Sequence, residues 1–408
     1  MTTYPPTIIS RLQVKNYKSL ADIDVTFGSP TVLVGTNGSG KSNVIDVLRF
    51  VRDIVMRGLD AAVLDRHGMS AVRRWSARGA PYDVHIHLYL ENVAWSGDYS
   101  FTLGSEKRGE YRVKAERLAL KAINEIRDTV FPKVSNPFVL EIKEGKWIKA
   151  FEEERFLPKS IISDIDDTNL VLPRIIQLLP YRHTREAYRF LSNMGFYTIY
   201  PAHLREPQKP SNPYPLEEEG QNIASVLRRL KQNKNADIST MTTALERVVD
   251  GIHDYSVTRV GGYLVTRLHH STSDEGRRGP AFELAQESDG TLRMLGILTA
   301  LYQEPPRPLI TIEEPELNVH PGALGVLCDV LQEASMRSQV LFTTHNPDLI
   351  DRFSEANILV VEKEEGITSV GPIVGSQREA ITRKLFSPGE LMRVQGLHRE
   401  EVELSGNP

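Results

Sequence analysis

Residues 31–42 read Thr31-Val32-Leu33-Val34-Gly35-Thr36-Asn37-Gly38-Ser39-Gly40-Lys41-Ser42, an apolar run that passes straight into a glycine-rich octet. The octet has the form G-x4-G-K-S, which a chain of this composition would carry by chance roughly once in a hundred. Its setting is the required one. Beyond it, Val44, Val47, Leu48, Val51, Ile54 and Val55 fall at helical spacing, with Asp46, Arg49, Arg52 and Asp53 on the other side. A buried strand, a glycine turn and an amphipathic helix make an anion cradle. Glycines let successive backbone N–H groups turn inward, and the helix start brings its partial positive charge to the same point. Lys41 is placed to bridge the β- and γ-phosphates of a nucleotide, and the Ser42 hydroxyl to ligate Mg²⁺. Gly35, Asn37, Gly38, Ser39, Gly40 and Asn43 complete the candidate binding set.

A second apolar run, Leu309 to Ile312, ends in Glu313-Glu314-Pro315-Glu316. Adjacent carboxylates at the C-terminal end of a parallel strand lie where α/β folds bind ligands. One can hold the metal and the next can deprotonate a water, so Glu313 is assigned to Mg²⁺ and Glu314 to the general base. A third run, Val340 to Thr344, ends at His345, whose imidazole could donate to a γ-phosphate. Upstream, Ser288-Asp289-Gly290-Thr291-Leu292-Arg293 precedes a helix, and Ser288, Gly290 and the first helical amides read as a second anion-binding start. Two such starts in one chain imply a composite site, the second capping a nucleotide held by another copy.

The remaining composition narrows the classes. The 408 residues carry 49 basic and 53 acidic side chains, a net charge of −4, so a wholesale nucleic-acid coat protein is excluded while local basic patches remain open. A single cysteine, Cys328, excludes a disulfide framework or a multi-cysteine metal site and fits a reducing cytosol. No apolar run approaches membrane-span length and residues 1–10 carry no secretory pattern, so a cytoplasmic location without membrane partners is expected. Strand alternation over 84–120 reads as antiparallel sheet. Residues 121–195 mix prolines with short apolar bursts and read as an insertion. From Glu283 onward, helices and strands alternate as in a parallel sheet.

Taken in order, these motifs resemble the ABC-type ATPase heads of the SMC/RecF class, and most closely those of the OLD (overcoming lysogenisation defect) group. Val14-Lys15-Asn16-Tyr17-Lys18-Ser19-Leu20 is similar to that class's first strand and turn, 34–43 to its Walker A and Ser288 to Arg293 to its variant signature. Ile312 to Glu316 resembles its Walker B, Leu317-Asn318-Val319-His320-Pro321 its D-loop, and Thr343 to Pro347 its H-loop. Glu313 stands where transporter-type members have Asp, and the signature reads S-D-G-T without a double glycine; both departures point towards the OLD-like branch. No Q-loop glutamine can be assigned, and 68–78 is where one would be sought.

The resemblance implies an α/β fold: an ABC-type P-loop NTPase head with a mainly parallel core sheet, an antiparallel β-subdomain and a small inserted α-rich lid. It divides the chain into 1–120, the insertion 121–195, a second half of the head over 196–375 and a tail over 376–408. It implies a Mg²⁺-dependent ATPase that forms a homodimer around two sandwiched ATP molecules, in a DNA-related process, with antiphage defence as the family-level setting. The insertion and tail are too short for SMC arms or a fused TOPRIM nuclease, so a separate nuclease-type effector is expected. The alternatives are a RecF-like DNA repair ATPase and a weakly hydrolysing ATP-bound scaffold for a partner nuclease. Lys18 is either a contact to the adenine or ribose side of the nucleotide or a surface lysine. Arg66, Arg73, Arg74 and Arg78 form either a DNA- or phosphate-facing patch or, the preferred reading, a solvated loop with ion pairs. His85 with His87 and His269 with His270 lack ligand-spaced partners for a metal. The tail is either a partner-docking segment or a helix packed on its own domain.

Overall fold

The run Thr31–Val34 is buried on both faces, so its backbone needs a partner strand on each side. The computed structural model supplies both in parallel. It describes residues 7–76, 81–105, 110–123, 138–144, 146–149, 168–171, 173, 182–233, 238–249, 251–271 and 279–400. The chain begins with β1 (Ile8–Tyr17), β2 (Leu20–Thr26) and β3 (Thr31–Val34), and continues through β4 (Val84–Glu91), β5 (Trp95–Ser105) and β6 (Tyr111–Ala122). Then come β7 (Phe138–Lys143), β8 (Lys146–Lys149), β9 (Gly195–Tyr197), β10 (Ile252–Val260), β11 (Tyr263–His270) and β12 (Ala281–Glu283). The last strands are β13 (Leu309–Glu313), β14 (Gln339–Thr344), β15 (Ile358–Glu364) and β16 (Ile367–Pro372).

One sheet runs in the order β8-β7-β6-β5-β4-β1-β2-β16-β15-β3-β14-β13-β9. Its β15-β3-β14-β13-β9 part is parallel and its β8-to-β2 part antiparallel, and the two meet where Thr368 of β16 pairs with Leu20 of β2. A parallel core and an antiparallel part are both present, as the motifs led one to expect, and here they are joined in one mixed sheet. A separate small sheet, β10-β11-β12, turns at Gly261-Gly262, both at positive φ, as a two-residue hairpin requires.

Alternation along the parallel strands divides the core. Leu33, Leu309, Leu341 and Leu359 face α1 (Lys41–Arg57), which also packs against Leu12, Val14, Ile86 and Phe101 of the antiparallel part. Val32, Val34, Ile310, Ile312, Phe342 and Val360 face the other way, onto the helices Asp289–Tyr302 and Leu324–Ser335. The phosphate-loop helix is thus enclosed between the two halves of the sheet.

Several details differ from the sequence reading. Much of 121–195 lies outside the described residues, including the acidic 164–167. Its described part is not only helical: β7 and β8 extend the antiparallel sheet, with Phe138, Leu140 and Ile142 buried at period two. The helix Arg182–Ser192 packs Ala187, Phe190 and Leu191 into the α1 core. The flanking prolines hide that short alternation. Within the second half of the head, the helix Ile223–Gln232 begins after a turn that Asn222 ties to the backbone of Asn212, Pro215 and Glu217. The tail forms the helices Gly375–Thr382 and Pro388–Val394, the second with a Ser387/Glu390 capping box, and Leu391 and Leu397 are buried on the chain's own core.

The arginine stretch also resolves into distinct roles. Arg66 points inward, 2.8 Å from Asp46 and 3.1 Å from Asp53, with its guanidinium over Phe50. Tyr17 donates its hydroxyl to Asp46 at 2.6 Å. Arg73 and Arg74 lie on a segment whose backbone pairs with the β1–β2 turn, and Arg78 lies outside the described residues. Burial works against the Asp46 charge, but Arg66 and Lys18 outweigh it and hold the carboxyl down at about 2. Removing Arg66 takes away the cation that Asp46 and Asp53 share and leaves each with a close basic partner, Lys18 and Arg52 respectively, so Arg66→Met is expected to lower unfolding stability by about 2–3 kcal/mol in urea titration. A depressed folded-state pKa stabilises above the ordinary carboxylate range. The wild-type advantage over the variant is therefore full at neutral pH and shrinks as pH falls from about 4 towards 2.

Candidate functional site

Strand register brings the motifs together. In β3 and β14 Val34 lies opposite Thr344, and in β14 and β13 Thr343 lies opposite Glu313. The three strands therefore end at one level, delivering the 35–42 loop, His345 and the Glu313-Glu314 pair to one edge. Gly35 leaves β3 against the β15 backbone, where a Cβ would lie 2.2 Å from the Val361 carbonyl. Gly40 turns the loop into α1 at φ 106°, against Thr368. Lys41 folds its ammonium onto the carbonyls of Gly35 (2.8 Å) and Thr36 (3.1 Å). Burial lowers its pKa, and the carboxylates of Glu314, Glu316 and Glu313 act in the opposite sense.

Ser42 donates its hydroxyl to Glu313 at 2.6 Å, so the two side chains proposed for the metal share one point. Serine and carboxylate oxygens are the donors Mg²⁺ takes, and the Lys41 ammonium and the Ser39 hydroxyl, buried and unpartnered among the described residues, suit a phosphate in the same loop. Arg49 approaches Glu313 at 3.8 Å from α1 while also lying 3.4 Å from Glu218. Glu314 occupies a left-handed backbone conformation, φ 46°, and its amide donates to the Thr343 carbonyl and hydroxyl, both at 3.1 Å. The His345 imidazole lies 3.3 Å from the Glu314 carboxylate. Glu316 accepts from the Thr344 hydroxyl at 2.5 Å, its second oxygen is buried with no partner among the described residues, and burial raises its pKa.

The structure thus brings Lys41, Ser42, Glu313, Glu314 and His345 together. Ser288 and Gly290 stand apart: among the described residues, neither hydrogen-bonds to the 35–42 loop of its own chain. Ser288 caps the helix Asp289–Tyr302 by accepting from the Thr291 amide, and a Cβ on Gly290 would lie 2.4 Å from the Asn318 carbonyl. Asp289 is held by Arg205 at 2.6 Å. Lys18 does not join the loop: its ammonium sits 2.5 Å from Asp46 beside the Tyr17 ring. The four flagged histidines have local partners instead: His85 with Thr102, His87 with Asp98, His269 with Ser256 and His270 with Glu287. No helix among the described residues is long and apolar enough to cross a membrane.

Three residues have roles that the sequence reading did not assign. Thr368 and Ser19 brace the loop from strands far away in sequence. Asn43 donates to Ser19 (2.6 Å), Ser19 shares a hydrogen bond with Thr368 (2.7 Å), and Thr368 donates to the Ser39 carbonyl (2.8 Å). The third is Arg293, which the sequence places at the end of the signature-like stretch without a role of its own. It donates to the backbone carbonyls of Ile199, Glu313 and Glu314.

Together the fold and the site define a P-loop ATPase of the ABC type, in the SMC/RecF/OLD class. Residues 31–351 match the family described as "AAA domain, putative AbiEii toxin, Type IV TA system", and the chain belongs to that family. It is 30% identical over 161 residues to the DNA replication and repair protein RecF of Allorhizobium ampelinum, covering 38% of this chain and 39% of that protein. A 44-residue stretch is 43% identical to the OLD nuclease of Thermus scotoductus, covering 11% of this chain and 8% of the nuclease. The chain therefore spans well under half of either relative. Among solved structures, an Smc head bound to the C-terminal winged-helix domain of ScpA shares the fold with a TM-score of 0.53 and 15% identity, covering 91% of this chain and 99% of the other.

The brace on the phosphate loop is testable. Thr368→Val keeps side-chain volume but leaves the Ser39 carbonyl without its donor. ATP affinity should fall about tenfold (about 1.4 kcal/mol) in a fluorescent-nucleotide titration while the circular dichroism spectrum is unchanged.

Proposed function

We propose that the chain is a Mg²⁺-dependent ATPase in which two copies close around ATP, serving as a switch in a DNA-related process. The observation that carries this reading is the 2.6 Å join between Ser42 and Glu313, with Glu314 the next residue and His345 3.3 Å from it. Ser42 and Glu313 would hold Mg²⁺, which supplies charge neutralisation at the phosphates when bound. Lys41 exchanges its two carbonyl acceptors for the β- and γ-phosphate oxygens. Glu314 accepts the proton of the attacking water at its carboxylate, and its rigid backbone fixes the line of attack. His345 orients that carboxylate and donates to the γ-phosphate. Ser288, Gly290 and the amides that follow are free of their own loop, which supports their offering a second anion site to the nucleotide of another copy.

The biological setting is antiphage defence with a separate nuclease-type effector, in the cytoplasm. The family description names a toxin of a type IV toxin–antitoxin system, and one relative is named a nuclease of the OLD group; both support this setting. The similarity to RecF supports a second reading, a repair ATPase acting on DNA. Stimulation of turnover by gapped duplex would favour that alternative.

The assignment of the base gives a direct expectation. Glu314→Gln should bind ATP as wild type does in equilibrium titration and lose about 10²–10⁴-fold in steady-state phosphate release, the usual worth of a general base. Hydrolysis within threefold of wild type would remove Glu314 from that role.

A further inference from the structure

Arg293 is a charged side chain placed where stability alone would favour an apolar one. It sits on the helix Asp289–Tyr302, where every residue from Thr291 to Tyr302 is buried, and it is itself 4% exposed. Its guanidinium makes no ion pair within 4 Å among the described residues. It donates instead to three carbonyls: Ile199 at 2.8 Å, Glu313 at 3.1 Å and Glu314 at 2.8 Å. Its Nε is buried without a partner among the described residues, and burial lowers its pKa. A buried cation satisfied only by backbone dipoles is a poor stabilising device, since its desolvation is not offset by a contacting carboxylate. What the three bonds do accomplish is geometric.

Glu314 is held in the left-handed backbone region, which a residue with a Cβ occupies only where the surroundings impose it. Thr343 holds the amide side of this residue, and Arg293 holds its carbonyl. Remove the guanidinium fork and the peptide after Glu314 can rotate, carrying the carboxylate out of line. The other end of the connection lies five residues earlier. Ser288 caps the same helix, and Gly290 abuts the Asn318 carbonyl, four residues beyond Glu314. The first turns of this helix therefore meet both ends of the 314–318 turn, by hydrogen bonds at Glu314 and by close packing at Asn318.

We propose that Arg293 is a positioning residue that locks the Glu314 turn to the helix behind Ser288 and Gly290, so that an anion engaged at that helix start is registered at the base of the same chain. This rests on the functional reading above and deepens it, naming how occupation of one composite site governs the other. A lysine cannot reach three diverging carbonyls, so Arg293→Lys separates charge from geometry.

The test uses the full chain and three readouts. Arg293→Lys should leave ATP affinity within threefold of wild type and lower kcat by 10-fold or more. In a Glu314→Gln background the same substitution should have no further effect on residual turnover, because its route runs through Glu314. Independently of turnover, hydrogen exchange in wild type should show ATP slowing both 288–293 and 313–318. In Arg293→Lys it should slow 288–293 only, with the 35–42 loop behaving as in wild type. The proposal is overturned if Arg293→Lys keeps kcat within twofold, if its effect adds fully to Glu314→Gln, or if ATP still protects 313–318 in the variant. Should wild type show no turnover, the base assignment fails while the exchange pattern still decides the coupling.

Discussion

The registers Val34 opposite Thr344 and Thr343 opposite Glu313 are the constraint on which the site depends. Side chains alternate along a strand, so a one-residue slip would send Leu33, Leu309 and Leu341 to the wrong face and separate Ser42 from Glu313. Apolar burial on both faces of these parallel strands specifies the register, and the register specifies the chemistry. The same residues that pack α1 thereby bring a lysine, a serine, two carboxylates and an imidazole to one strand edge. Residues that are hydrophobic for packing reasons determine distances between polar ones they never touch.

Around that edge the chain spends polar groups where an apolar core would have been simpler. Arg66 with Asp46, Asp53 and Tyr17 fixes the far side of α1. The Asn43-Ser19-Thr368 relay ties the loop to β16, and β16 joins the parallel and antiparallel halves of the sheet at Thr368 itself. The loop is thus braced at the seam between the halves. Movement of one half against the other would reach the phosphate cradle through a single buried threonine.

What was legible in the sequence was local. The glycine octet, the consecutive carboxylates and the histidine at a strand end each carry their signal within a few residues, because their chemistry is set by a turn or a strand terminus. What was hidden was long-range. Thr368 lies 349 residues from Ser19, and nothing near either residue signals their contact. Lys18 looked available to a nucleotide until folding placed Asp46 beside it, and Arg66 looked solvated until two acids of α1 were found within reach. The strands β7 and β8 were obscured because proline-rich flanks outweighed two short alternating runs. Arg293 was visible, but its acceptors are backbone carbonyls, which no sequence pattern announces.

The central claim is that this edge is half of a composite site that a second copy completes around ATP. Mass photometry of Glu314→Gln, with and without ATP and Mg²⁺, tests it most directly. The account predicts a monomer-to-dimer shift that requires ATP and is lost when Ser288→Arg is added. A variant that binds ATP yet remains monomeric at saturating nucleotide would contradict it.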